Sequence, residues 1–268
     1  QDFINSTGGG SDTVDYSGRS TGVSVSFNGS ADDGEPSEGD NVGTAFVTAE
    51  GGSGSDTLLG SSGANTLRGN GGNDTFDEGS FKNGADTISG GSGTDTLTYA
   101  SRSGAISVTL GAGANDGETG EGDNISDDFE VINGTSLADS ITGLAGAITV
   151  HAGAGADTVA GSSANDVLDP GSTTDIDSIN GAGGTDTIDY SAMSTAVTVN
   201  LATGVSGASS EDSVSAIEHA TTGSGNDTIT GDSNANTLTG GSGDDTYDGR
   251  TAADVIVDGA GTDTVTYA

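Results

Sequence analysis

The stretch "GGSGSDTLLGSSGANTLRGNGGNDTFD" (residues 51–77) sets the period of the chain: Asp or Asn, then Thr, then an apolar residue, returns every nine positions at Asp56, Asn65 and Asp74. A six-residue turn rich in glycine precedes each, and one apolar residue follows, Leu58, Leu67 or Phe76. One apolar side chain in nine is too sparse for an amphipathic helix. It suits a three-residue strand with its central side chain inward, closed by a turn that reverses the chain. Two repeats make an 18-residue coil. Coils stacked in parallel bury a thin apolar column that none of them buries alone. Glycine is needed in the turns for positive φ and for close approach of the backbone.

The beat continues on both sides. Asp86 follows after three extra residues and Asp95 after nine more; Asp157 and Asp166, then Asp177 and Asp186, are nine apart; Asp227, Asn236, Asp245, Asp254 and Asp263 run without interruption. The expected strand centres are Ile88, Leu97, Val159, Val167 (one position early), Ile188, Ile229, Leu238, Tyr247 and Val265. A longer period lies above this one. Asp12 to Asp56 and Asp95 to Asp139 are both 44 residues, and Asp186 to Asp227 is 41. Each gap holds an alternating strand, "GVSVSF" (22–27), "AISVTL" (105–110) or "AVTVNL" (196–201), and then an acidic loop. The loop "DGEPSEGDN" (33–41) returns 83 residues later as "DGETGEGDN" (116–124), in step with Arg19 and Arg102. The expected organisation is one continuous solenoid over 1–268, with internal units 12–94, 95–185 and 186–262 and the opening of a fourth at 263–268. Its strands continue through each gap while one loop is pushed outward. The closing "GTDTVTYA" (261–268) repeats words that open a unit elsewhere, so the Val265 strand is expected to be completed by more chain or by a neighbouring molecule.

Composition narrows the function. The 268 residues include 41 acidic and 5 basic side chains, a formal charge of −36, 49 glycines and no cysteine. Disulfides and thiolate metal sites are excluded. The charge opposes nucleic acid and anionic membranes and favours cations. No apolar run approaches the ~18–20 residues of a membrane helix, so no membrane insertion is expected. Leu, Ile, Val and Phe make up only about a sixth of the chain, which with this charge would ordinarily mean disorder. The regular phasing of acids and apolar residues argues instead for a fold whose charge is cancelled by ions.

Calcium wants six to eight oxygens, mixed from carboxylates and carbonyls. A turn of the form Gly-Gly-x-Gly-x-Asp supplies both, and a second turn 18 residues later supplies the rest, as in the pairs Asp56/Asp74, Asp227/Asp245 and Asp245/Asp263. Magnesium is disfavoured by its strict octahedron, and zinc by the lack of His and Cys ligands. These nonapeptides resemble the hemolysin-type, or RTX (repeats in toxin), calcium-binding repeat of secreted bacterial proteins, and the 44-residue gaps resemble the connectors of its long members. The resemblance implies an all-β, right-handed parallel β-roll (β-solenoid), export to a calcium-rich exterior, and folding on calcium. It carries ligands onto Gly51, Gly52, Gly54 and Asp56; Gly90, Gly91, Gly93 and Asp95; and Gly240, Gly241, Gly243 and Asp245. Further candidate ligands are Gly69, Gly71, Gly72 and Asp74, Asp157, Gly181, Gly183 and Asp186, Asp227 and Asp263. The turns "GSSGAN" (60–65), "GDSNAN" (231–236), "GTSLAD" (134–139) and "GRTAAD" (249–254) depart from the pattern, so calcium is expected to favour one edge of the first and last blocks.

Other readings are blander. The acidic loops at 33–40 and 116–123 are either further calcium sites or solvated loops; the third, "ASSED" (208–212), has lost most of its acids. His151 and His219 have no recurring partner, no Ser–His or Cys–His pair stands out, and no catalytic role is expected. The recurring Thr after each Asp predicts outward ladders, which suit strand propensity and, as a minor alternative, ice binding. The expected role is an extracellular structural repeat protein, a stalk, surface-layer or fibre subunit that self-associates head to tail. The alternative is a calcium-dependent carrier module of a larger secreted enzyme or adhesin.

Overall fold

Each Asp-Thr-apolar triplet becomes a strand of about three residues, with its centre buried except at Val265. The computed structural model describes residues 3–4, 11–80, 84–171, 175–208 and 212–266; residues 209–211 of the third acidic loop and residues 267–268 of the closing phrase lie outside them. The chain divides into two units, Gln1–Ser136 and Leu137–Ala268.

In the first unit two parallel stacks face each other. One holds Ser24–Ser26, Thr57–Leu59, Thr75–Asp77, Thr96–Thr98 and Val131–Asn133, and the register puts Val25, Leu58, Phe76, Leu97 and Ile132 in one column. The other holds Asp12–Asp15, Phe46–Glu50, Thr66–Gly71, Thr87–Ser92 and Asn124–Ile125, with Val14, Ala49, Leu67, Ile88 and Ile125 in line. These centres are buried, while flanking residues face outward, as strand alternation requires.

The second unit repeats the plan. One stack runs Thr149–His151, Val167–Asp169, Thr187–Asp189, His219–Thr221, Thr237–Thr239 and Val255–Val257. The other joins Ser140–Thr142, Thr158–Ala160 and Ser178–Asn180 to Asp212–Ser215, and Thr198–Asn200 to Thr228–Thr230, Thr246–Asp248 and Thr264–Thr266. Leu168 is the buried centre of its strand; Val167, expected inward, flanks it. Asp166 therefore keeps the ordinary spacing, and the apparent offset came from two adjacent apolar residues.

The connectors are enlarged coils. Thr96–Thr98 pairs directly with Val131–Asn133, and Thr187–Asp189 with His219–Thr221, so everything between belongs to a single coil. Inside each the chain doubles back, contrary to a purely parallel reading. Ile106–Thr109 pairs antiparallel with Gly117–Glu118, and Val205–Gly207 pairs antiparallel with both Thr198–Asn200 and Asp212–Ser215. Such pairs close with short loops, whereas a parallel pair needs a long crossover. Phe129 brings the second connector back to the core, edge-on to Phe76 at 5.3 Å. The Thr ladders exist but are short: Thr57, Thr75 and Thr96 align, and Val131 ends the row.

Candidate metal centre

Because the strands are in register, the acids that precede them stand one above another. They form a ladder in which each carboxylate accepts the backbone N–H of the acid one coil earlier. On one edge of the first unit Asp56 donates to Asp74 Oδ1 and Asp74 to Asp95 Oδ1, both at 2.8 Å. Across the enlarged coil Asp95 donates to Glu130 Oε2, at 2.8 Å. On the other edge Asn65 donates to Asp86 and Asp86 to Asp123. In the second unit one edge links Asp139, Asp157, Asp177 and Asp212, then Asp227, Asp245 and Asp263. Its other edge links Asp166 to Asp186, Asp186 to Glu218, and Asn236 to Asp254. Glu130 and Glu218 escaped the sequence reading because they stand 35 and 32 residues after the acids they serve. The longer Glu side chain takes the Asp position where the coil is enlarged.

The three glycines of a turn answer to different demands. A Cβ on the first, Gly69, would strike Asp74 Oδ2 and stand 2.5 Å from the Gly90 carbonyl oxygen. At Gly90 it would lie 2.5 Å from Asp95 Oδ2 and 2.8 Å from the Asp128 carbonyl oxygen. The first position is thus packed directly against the turn's own carboxylate and a carbonyl of the next coil, with no room for a side chain. Gly51 and Gly181 show the same arrangement. The second and fourth positions carry positive φ in Gly91 (+109°) and Gly93 (+143°), and in Gly241 (+81°) and Gly243 (+129°). At each, a side chain would hit a carbonyl of the coil before. In the turn over 181–186 these positions belong to Ala182 (φ +69°) and Gly184 (φ +132°). Gly183 is the open third position, with nothing closer than 4.0 Å to a built Cβ, so Gly184 takes the place that the sequence reading gave to Gly183.

Position two also switches the turn between two states. Where it lacks positive φ, its N–H turns inward to the acid or amide of the same turn: Gly52 to Asp56, Ser61 to Asn65, Ser162 to Asp166, Asp232 to Asn236. These turns are closed. Where it takes positive φ, at Asn70, Gly91, Gly153 and Ala182, the buried Oδ2 of Asp74, Asp95, Asp157 and Asp186 has no hydrogen-bond partner. Asp177 and Asp227 Oδ2 are likewise buried and unpartnered, Asp227 without the flip at Gly223. Asp245 Oδ2 has only the Tyr247 hydroxyl, at 3.4 Å. Unpartnered buried carboxylate oxygens are costly. Burial, the largest cause, raises the pKa of Asp74 and Asp157 to about 7 and that of Asp177 to about 6. Asp95, Asp186 and Asp245 shift upward for the same leading reason.

The weak turns at 60–65 and 231–236 are thus closed, yet so is the turn at 51–56, which has all three glycines. The coil beneath it is a connector, and Asp56 Oδ1 accepts from Val23. The acidic loops are structural pins. Asp33 accepts the amides of Ser26 and Val42, and Asp116, 83 residues later, those of Thr109 and Ile125. All four acids at 33, 40, 116 and 123 are buried, so neither loop is merely solvated. His219 Nδ1 accepts the Thr237 amide and His151 lies 3.0 Å from Asp169, both as rung residues.

A model of the RTX calcium-binding nonapeptide repeat matches residues 50–80, 82–100, 133–168, 149–176, 221–256 and 242–267, together just over half of the chain. The chain belongs to that family. No curated protein matches this sequence. The stretches that the RTX model leaves unmatched include most of each connector, where the coils are enlarged. Among the described turns, the open ones fit the RTX ion. They offer only oxygens, the Oδ2 of each carboxylate lacks a donor, and the absence of a side chain at the first glycine lets carboxylate and carbonyl come together. Asp74, Asp95, Asp157, Asp177, Asp186 and Asp227 are the residues that would hold calcium, which supplies the positive charge that the ladder lacks.

Proposed function

We propose that this RTX chain is an extracellular structural module without catalytic activity, a stalk, surface-layer or fibre subunit that becomes rigid when it meets calcium. The carrying observation is the set of open turns, whose buried carboxylates have structural places and no second partner. Most of the buried acids hold backbone amides in ladders and pins or pair with an arginine, which supports a scaffold over a reaction centre. Extracellular calcium is abundant enough to load modest sites, which favours a secreted location.

Self-association is supported by the strands at the end of the second unit. Val265, the centre of the strand Thr264–Thr266, is 39% exposed, whereas Tyr247, its partner one coil earlier, is fully buried. An uncovered coil of this kind is a template for another, from a second molecule head to tail or from further repeats of a parent chain. The test is sedimentation with electron microscopy at rising protein concentration in calcium. Concentration-dependent filaments that dissolve in chelator are expected. A monomer at every concentration overturns self-association and leaves the carrier-module reading.

A further inference from the structure

Glu78, Asp86 and Asp123 are buried and bring carboxylate oxygens within 4.8 Å of one another. They come from separate places: Glu78 follows the strand Thr75–Asp77, Asp86 precedes Thr87–Ser92, and Asp123 precedes Asn124–Ile125 in the second connector. The buried Arg102 guanidinium lies 2.6 Å from Glu121 and 3.2 Å from Glu78, so its single charge is shared among several acids.

Two further groups point to a ligand. Asp123 is fully buried; its Oδ1 accepts the Asp86 amide at 2.9 Å and its Oδ2 has no partner. Tyr99 is also fully buried with an unpartnered hydroxyl, and the acids acting on it most strongly are Glu78 and Asp123. The third connector holds the same pair in another state. Met193 donates to the Tyr190 carbonyl as Arg102 does to Tyr99, and Asp177 donates to Asp212 as Asp86 does to Asp123. There the Tyr190 hydroxyl bonds Asp212 Oδ2 at 2.8 Å and Ser206 Oγ at 2.6 Å. Met193 replaces Arg102, and Pro170 follows the strand where Glu78 does. In the second connector the tyrosine and aspartate do not bond each other, and extra acids gather round them.

We propose that Glu78, Asp86 and Asp123 bind one calcium ion, with the Tyr99 hydroxyl oxygen as a further donor, at a site built by a repeat and a connector together and separate from the glycine turns. The donors are all oxygen, and there is neither His nor Cys among them, which suits a hard divalent cation.

The experiment compares the full chain with Asp86→Asn, Tyr99→Phe and, as a turn control, Asp157→Asn. Asparagine at position 86 keeps an acceptor for the Asn65 amide, and the Tyr99 hydroxyl has no protein bond to lose. Equilibrium dialysis against radioactive calcium is expected to show one ion fewer in Asp86→Asn and at least a several-fold weaker ion in Tyr99→Phe, with the other ions unchanged. Terbium luminescence, sensitised here by tyrosine because the chain has no tryptophan, should fall in Tyr99→Phe. An unchanged ion count and unchanged terbium signal in both variants overturn the site. If Asp86→Asn does not fold, an anomalous map of terbium-soaked wild-type crystals decides: a peak among the three acids supports it, and peaks at the turns alone overturn it. A loss confined to Asp157→Asn supports the turns and overturns this site.

Discussion

A glycine in this chain is expensive to replace where neighbouring atoms leave no room for a side chain or where φ is positive. At Gly93 both demands coincide, since φ is +143° and a Cβ would strike the Gly72 carbonyl. At Gly63 neither holds: the nearest atom to a built Cβ is 4.0 Å away. Gly93→Ala should therefore cost more than about 2 kcal/mol in calcium-loaded melts, and Gly63→Ala should be neutral or slightly stabilising by restricting the unfolded chain. The acids separate in the same way. Asp245 accepts the Asp227 amide and donates its own to Asp263, while Asn236 is held in a closed turn by Asp232 and Glu218. Asp245→Ala should weaken calcium binding measured by titration calorimetry. Asn236→Ala should lower the melting temperature, by the cost of lost buried hydrogen bonds, about 1–3 kcal/mol, and leave calcium affinity unchanged. At this scale the sequence was legible in its phase. The nine-residue beat named the strand centres correctly except at Val167, where two apolar neighbours hid the register. It could not show which turns are closed, because that depends on the φ of one residue and on the coil beneath.

A single coil buries two central side chains over some eighteen residues, and its backbone ordering alone costs about 1–2 kcal/mol per residue. The remainder must come from the strand ladders and the acid ladder, and the acid ladder is sensitive to pH. Asp74 and Asp157 are raised to about 7 and Asp177 to about 6, while unfolded aspartate titrates near 3.9. The ion-free fold therefore holds protons that the unfolded chain has already released. Its stability is fullest below about pH 4 and is lost as pH rises through 6 to 7. In chelator the β signal that protonation retains should fall between pH 5 and 8; in saturating calcium the melting temperature should rise over the same range, because the same carboxylates must lose protons to bind the ion. A parallel trend in both conditions would contradict the assignment. The connectors were legible as duplicated units through the 83-residue echo of their loops. Their antiparallel hairpins were not, since short strands of alternating pattern look the same in either direction.

Across the whole molecule, 41 acids against 5 bases make the ion-free chain repel itself. Calcium should convert an expanded chain with little regular structure into a compact β form, seen by circular dichroism and by the sedimentation coefficient. Magnesium at the same concentration should not, because it gives up water reluctantly and demands a regular octahedron. If excess chelator leaves both signals unchanged, the ion is not part of the fold.

The acid ladder also has a direction. In every described link the amide belongs to the earlier coil and the carboxylate to the later one. Removing a coil from the amino-terminal side leaves its neighbour a carboxylate, which water or an ion readily satisfies. Removing one from the carboxy-terminal side strips the acceptor from a half-buried backbone N–H, which is harder to replace. The stack therefore works as a ratchet: each coil holds the amide of the one before it, and unravelling is easier from the amino-terminal face than from the carboxy-terminal one.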